Sequence, residues 1–171
     1  MFDLENYLPY LVRRIVPRLD EAFARNLEAV DLTVETWRVL INLYDRGPLS
    51  LSAIAELTSI NLSTLSRIAD RMQRRKLIRR VTRREGSRRW AEIELLPLGV
   101  RKCELLIPEA VQFQADVIAK FSNKELEQVK DMLRKLYVAF EEVAKARSEP
   151  TAMPPTSPVE RSSRGRNELR S

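Results

Sequence analysis

Eleven basic side chains fall between Asn61 and Trp90 (Arg67, Arg71, Arg74, Arg75, Lys76, Arg79, Arg80, Arg83, Arg84, Arg88 and Arg89) against two acidic ones, Asp70 and Glu85. The segment therefore carries a net charge of +9, whereas the whole 171-residue chain carries +6. Positive charge spread for solubility would not be focused in this way. Arginine presents a planar fork of N–H donors that matches the paired oxygens of a phosphate or the acceptor edge of guanine, so such a concentration is the footprint of a surface for a polyanion. The competing reading is a solvated, charged helix face that makes no specific contact.

Other chemistry is poorly provided for. The chain has no histidine, which removes the commonest general base, the Ser-His and Cys-His nucleophile pairs and the commonest zinc ligand. Four glycines are too few for a Gly-rich phosphate loop, and no P-loop or dinucleotide fingerprint is present. Neither an enzyme nor a cofactor or metal is expected. Cys103 is the single cysteine, so no intrachain disulfide can form and a reducing compartment is the natural setting. The opening Met1-Phe2-Asp3-Leu4-Glu5 lacks the pattern of a secretory leader, and no apolar run of about 18 residues occurs. A soluble, cytoplasmic protein without membrane contact is expected.

The elements that must carry the basic residues are legible from periodicity. Apolar residues from Leu4 to Val30 recur at spacings of three and four, as in one long amphipathic helix, with Pro9 and Pro17 interrupting it and a kink or break expected at Pro17. Thr33 is placed to cap a second helix whose Trp37, Leu40, Ile41 and Tyr44 share a face and which Gly47-Pro48 ends. Ser50 caps a short third helix carrying Ile54, Ala55 and Leu57. After the turn Thr58-Ser59-Ile60, Asn61 caps a fourth helix to about Arg75, with Leu62, Leu65, Ile68, Ala69 and Met72 turned inward. The period then changes to two. Ala91, Ile93 and Leu95 alternate with Glu92 and Glu94 as one strand, Ile78 to Arg83 is its partner, and Arg84 to Arg88 supplies the turn. A basic hairpin directly after a helix-turn-helix is a wing.

Helical spacing returns from Leu98 to Phe121, bent at Pro108, and Ser122 to Glu125 forms a capping box for a last helix bearing Leu126, Val129, Leu133, Leu136, Phe140 and Val143. The first and last helices have more apolar surface than one small domain readily covers, which points to a helical dimer interface, the alternative being that they pack on each other within one chain. The fold class is mainly α (α+β), a winged helix-turn-helix at about 33–96 with long helices at about 4–30 and 98–146 forming a dimerisation domain. Residues 1–147 make one domain. Beyond Arg147, Pro150, Pro154, Pro155 and Pro158 among Ser, Thr and Arg read as a disordered tail, 148–171.

This order of elements resembles the MarR family of bacterial transcription regulators. Leu32-Thr33-Val34-Glu35-Thr36-Trp37-Arg38-Val39-Leu40 looks like that family's second-helix opening, and Ser63 to Met72 is similar to its recognition helix. Leu95-Leu96-Pro97-Leu98-Gly99 matches the strand-to-helix junction, and Ser122 to Gln128 matches the start of the last dimer helix. The resemblance covers about Asn6 to Lys145. Three departures stand out: Lys76 where the family usually has glycine, Ser87-Arg88-Arg89 where its wing tip commonly reads Asp-x-Arg, and Pro17 in the first helix.

A helix in the major groove reads bases with residues near its N-terminal half, so Arg67 and Ser66 are candidate base readers, while Ser63 and Thr64 are better placed for phosphate oxygens. Arg71 and Arg74 extend the same side, and Arg83, Arg84, Arg88 and Arg89 of the wing would reach the neighbouring minor groove or backbone. The resemblance further implies a repressor acting as a homodimer on a pseudo-palindromic operator in double-stranded DNA. It also implies a cavity for a small anionic aromatic effector or its thioester, for which Trp37 with Arg13, Arg14 or Arg18 would supply a stacking wall and a carboxylate partner. The competing functions are a winged-helix adapter for protein contact and a non-specific nucleic-acid binder without an effector. Salt-dependent binding to duplex DNA separates the adapter from the regulator.

Overall fold

The computed structural model describes residues 2–148; the tail expected at 148–171 lies outside them apart from Ser148, the last residue of the final helix. Six helices and one two-stranded sheet follow in the order α1 (Leu8–Glu28), α2 (Val34–Arg46), α3 (Leu51–Thr58), α4 (Leu62–Arg74), β1 (Ile78–Glu85), β2 (Arg88–Leu95), α5 (Pro97–Ile118) and α6 (Asn123–Ser148). The chain divides after Lys120 into two units. The first holds α1 to α5 and the hairpin; the second holds α6.

Local chemistry sets the helix boundaries. α1 starts at Leu8, later than the apolar period suggests, because Pro9 lies in its first turn, where its missing N–H has no partner to lose. α1 runs through Pro17, and α5 through Pro108, without interruption. Both prolines are exposed, so water can serve the carbonyls of Arg13 and Glu104 that lose their helical donors. Thr33, Ser50 and Asn61 accept from the backbone N–H groups of Thr36, Ala53 and Thr64 at 3.2, 3.1 and 2.8 Å, which fixes the starts of α2, α3 and α4.

The core of the first unit joins Leu40 and Leu43 of α2, Ile54 of α3, Leu65, Ile68 and Met72 of α4, Ile78 and Ile93 of the hairpin, and Cys103 and Leu106 of α5. Two readings of individual faces change. The buried face of α2 is Thr36, Val39, Leu40 and Leu43, one position back from the expected stripe, and Tyr44 stays exposed. In α4 the inward stripe is Leu65, Ile68, Ala69 and Met72, whereas Leu62 stands 52% exposed.

α4 ends in a Schellman motif. Leu77 N–H donates to Met72 O and Lys76 N–H to Gln73 O, each at 3.0 Å, with Lys76 in the left-handed region at φ +57°. The helix does not run on into the strand. Leu77 and Met72 are both fully buried, and that apolar contact is what the motif normally carries.

The hairpin is longer and tighter than the alternation suggests: pairing extends to Glu85 and Arg88, leaving a two-residue turn at Gly86-Ser87. Gly86 takes φ +58° at the first turn position, where a tight hairpin needs a left-handed residue. Ala91, expected inside, is exposed because the distal half of the hairpin extends past the core. Leu49 exchanges two backbone hydrogen bonds with Ile93, at 3.1 and 2.7 Å, and so anchors the hairpin base to the segment before α3.

In the second unit, Ser122 and Glu125 close the expected capping box: Ser122 N–H donates to Glu125 Oε2 at 2.8 Å and Glu125 N–H to Ser122 Oγ at 3.3 Å. Val129, Leu133, Leu136, Phe140 and Val143 follow at alternating spacings of four and three along α6, the spacing of a coiled-coil seam. Val129, Leu133, Phe140 and Val143 are each about half exposed.

Candidate nucleic-acid interface

α3 and α4 are joined by Ser59-Ile60-Asn61, with Ser59 in the left-handed region at φ +55° and the buried Thr58 hydroxyl donating to Ile54 O at 2.7 Å. This fixes α4 with one face in the core and the other in solvent. On the solvent side lie Ser63, Thr64, Arg67, Arg71 and Arg74, with Ser66 half-buried beside them. Thr64, Arg67, Asp70, Arg71 and Arg74 line one shallow concave patch. The Ser63 hydroxyl already donates to Asn61 Oδ1 at 2.9 Å, so it belongs to the cap as well as to the surface.

The basic segment separates into two populations. Arg75 binds Asp31 Oδ2 at 2.5 Å, Arg80 binds Asp70 at 2.7 Å, Arg79 pairs with Glu94, and Arg83 reaches Glu92 and Glu94 at 3.1 Å each. These arginines are neutralised within the chain. Arg67, Arg71, Arg74, Arg84 and Arg89 have no carboxylate partner among the described residues; the Arg84 Nε–H donates only to the carbonyl of Gly86, at 3.0 Å.

Strand parity decides which carboxylates the hairpin arginines can reach. Successive side chains of a strand alternate faces. Arg79 and Arg83 therefore share one face with Glu92 and Glu94, an arginine–glutamate ladder, whose Glu92 is held below the usual carboxylate range by the Trp90 indole N–H and by Arg83. Ile78, Arg80, Thr82 and Arg84 share the other face with Leu95, Ile93, Ala91 and Arg89. That second face meets α4, since Ile78 and Ile93 enter the core and Arg80 reaches Asp70 of α4.

Arg84 and Arg89 thus extend the α4 side of the hairpin and lie directly opposite each other in the register. Like charges so placed repel, and an anion between them relieves the repulsion. The sequence reading grouped Arg83 with Arg84, Arg88 and Arg89. The structure sets Arg83 on the ladder face, and Arg88 pairs by backbone register with Glu85.

A second site lies between α1, α2 and α5. A cavity of about 390 Å³ is walled by Phe23 and Leu27, Trp37, and Phe113, with Asp20 and Arg38 supplying its charge. One guanidinium nitrogen of Arg38 donates to both Asp20 oxygens, at 3.1 and 3.2 Å. Trp37 is where the sequence reading expected it, 6.1 Å from the Phe23 ring. Arg13, Arg14 and Arg18 do not line this cavity.

Helix geometry gives the reason. Arg14 and Arg18 lie on the far side of α1, Arg14 over the Tyr10 ring and Arg18 3.0 Å from Glu21, while Arg13 shares the cavity side but lies seven residues before Asp20, about 10 Å along the axis. Arg38 was overlooked, although its position one residue after Trp37 and four after Val34 was a readable signal.

Cys103 is fully buried, and burial together with the Glu104 carboxylate pushes its thiol up to about 11. Such a thiol is a core methyl equivalent, not a nucleophile. Among the described residues no group of three or more His, Cys, Asp and Glu is arranged to hold a metal ion, and no helix is long and apolar enough to cross a membrane.

Comparison with known proteins agrees with this geometry. Residues 30–89 match the MarR family. An uncharacterized HTH-type transcriptional regulator of Bacillus subtilis (strain 168), YsmB, is 29% identical over 94 residues, which cover 55% of this chain and 64% of that protein, just under two thirds of its length. The HTH-type transcriptional repressor MdtR of the same organism is 28% identical over 141 residues, covering 82% and 88% of the two chains. The crystal structure of the S. aureus MepR–DNA complex superposes with a TM-score of 0.69 at 25% identity, over 80% of this chain and 98% of that one.

Proposed function

We propose that this chain, whose residues 30–89 match the MarR family, is a regulator of that family, a sequence-specific, DNA-binding transcriptional repressor acting as a homodimer. The observation that carries the reading is the sorting of the arginines. Arg67, Arg71 and Arg74 on the open side of α4 and Arg84 and Arg89 at the far end of the hairpin lack carboxylate partners among the described residues, while Arg75, Arg79, Arg80 and Arg83 are paired within the chain. A folded chain gains nothing from an uncompensated cluster of this size; a duplex supplies the missing charge.

In this reading α4 enters the major groove, with Arg67 and Ser66 on base edges and Arg71, Arg74 and the backbone N–H groups near Thr64 on phosphates. Ser63 is assigned to the phosphate-proximal turn. Arg84 and Arg89, with Arg88 at the hairpin tip, grip the adjacent backbone or minor groove, and Arg83 stiffens the wing. The half-exposed seam of α6 and the exposed Leu11, Ile15 and Leu19 of α1 form the homodimer contact, which sets two half-sites about 34 Å apart. That spacing makes the operator pseudo-palindromic.

The cavity walled by Trp37 and Phe113 takes a small anionic aromatic effector or its thioester, with Arg38 as the carboxylate partner in place of Arg13, Arg14 or Arg18. Such a ligand releases DNA by preferring the conformation that binds it less well.

The test is a titration of duplex DNA at several salt concentrations with sedimentation of the same sample. If a dimer engages about 6 to 10 phosphates, log K falls with log[salt] at a slope of about −5 to −9. A slope near zero refutes the DNA-binding reading, and a monomer that binds operator tightly refutes the homodimer.

A further inference from the structure

Leu62 opens α4 and is 52% exposed. Across α4 and both strands it is the single large apolar side chain left in solvent among the described residues. The exposed apolar residues of α1 and α6 come as runs along a helix, the pattern of a face that another helix covers. Leu62 is solitary. Its neighbours on the exposed side are Ser63, Ser66 and Arg67, with the concave patch of Arg67, Arg71 and Arg74 beyond. That charge admits a polyanion to this surface and disfavours an apolar protein partner.

We infer that Leu62 reads the C5-methyl group of a thymine in the major groove and is thereby a specificity-determining residue. The inference rests on the DNA-binding reading above. The thymine methyl is the one apolar group on a major-groove base edge, and residues in the first turns of a recognition helix are those that reach base edges. Leu62 and Ser66 stand four apart on one strip of the helix, with Cβ atoms about 5–6 Å from each other. Base pairs stack at about 3.4 Å, so the two side chains address neighbouring pairs. Leu62 covers a methyl, and the Ser66 hydroxyl hydrogen-bonds beside it.

The test begins with a duplex selected from a random pool by the full-length protein. Each thymine in turn is replaced by uracil, which removes only the methyl group, and affinity is measured by fluorescence anisotropy at fixed salt. For the wild type, one uracil position per half-site weakens binding about three- to fivefold, the scale of one buried methyl. In Leu62→Ala the same replacement has an effect below about 1.5-fold, whereas Leu62→Met keeps the sensitivity. Because Leu62 is exposed, both variants retain the wild-type melting temperature, which separates a lost contact from a lost fold. The inference is overturned if no uracil position loses its effect in Leu62→Ala, or if selected half-sites lack a thymine opposite α4. Failure to select any duplex overturns the DNA-binding reading itself, and this inference with it.

Discussion

Lys76 holds φ +57° at the end of α4, in a conformation that glycine adopts freely and that costs a residue with a Cβ about 1 kcal/mol. The two hydrogen bonds from Leu77 and Lys76 and the burial of Leu77 override that preference. Lys76→Gly therefore raises stability by about 1 kcal/mol, seen as a higher urea midpoint at unchanged slope. Glu92 makes a second prediction at this scale. Its carboxyl is held below its ordinary 4.5 by the Trp90 N–H and Arg83. A depressed folded value means that the contribution is present above the unfolded pKa and is lost as pH falls through the folded one. As pH falls below 4.5 and through the lowered folded value, the Trp90 indole N–H resonance should shift as the bond to Glu92 breaks, and in Glu92→Gln that shift is absent. If wild type and variant titrate alike, the ladder does not fix the Trp90 ring.

At the scale of elements, the junction of hairpin and α5 decides how the wing is held. A Cβ on Gly99 would lie 2.3 Å from the carbonyl oxygen of Leu77 and 3.1 Å from Leu95 Cδ2. That same carbonyl accepts the Leu96 N–H at 2.9 Å, so the backbone cannot simply retreat. Gly99→Ala forces α5 away from the base of the hairpin and lowers stability by about 1–3 kcal/mol, the range for overpacking a filled core. A thermal melt of the variant that matches the wild type refutes this. The wing also depends on Leu49, whose pair of bonds to Ile93 fixes the proximal end of β2. The distal end, with Arg84 and Arg89, has no such anchor among the described residues and is the part free to adjust to a bound backbone.

Across the whole molecule, charge is segregated: residues 61–90 carry +9 although the chain totals +6, so the remainder is net acidic. A charge distribution of this kind orients the protein toward a polyanion before contact is made. The cavity lies in the same unit, with Phe23 and Leu27 of α1 on its wall, and Asp31, three residues beyond α1 and in the left-handed region, binds Arg75 just past α4. A ligand that repositions α1 thus has a physical connection to α4. Benzoic and phenolic acids should quench Trp37 fluorescence in a Trp90→Phe background, and operator DNA should weaken them by the same factor by which they weaken DNA, corresponding to about 1–3 kcal/mol of coupling. Arg38→Ala should lose carboxylate affinity. If it binds as the wild type does, while Arg13→Ala does not, the cavity assignment is wrong.

The sequence by itself determined whatever depends on neighbours within about four residues. Thr33, Ser50, Asn61 and Ser122 cap the helices they were expected to cap, and the apolar periods of α4 and α6 and the alternation about Ile93 were legible for the same reason. The concentration of arginine was also visible without any structure. Its division was not. Which partners an arginine of β1 meets depends on hairpin register: one residue of slip in β1 exchanges the ladder face of Arg79 and Arg83 with the α4 face of Arg80 and Arg84. The bond between Leu49 and Ile93, the burial of Cys103, and the choice of Arg38 over Arg13, Arg14 and Arg18 beside the cavity likewise follow from elements distant in sequence meeting in space. Local pattern sets which elements form. The packing of those elements decides which of their side chains are left to meet a ligand.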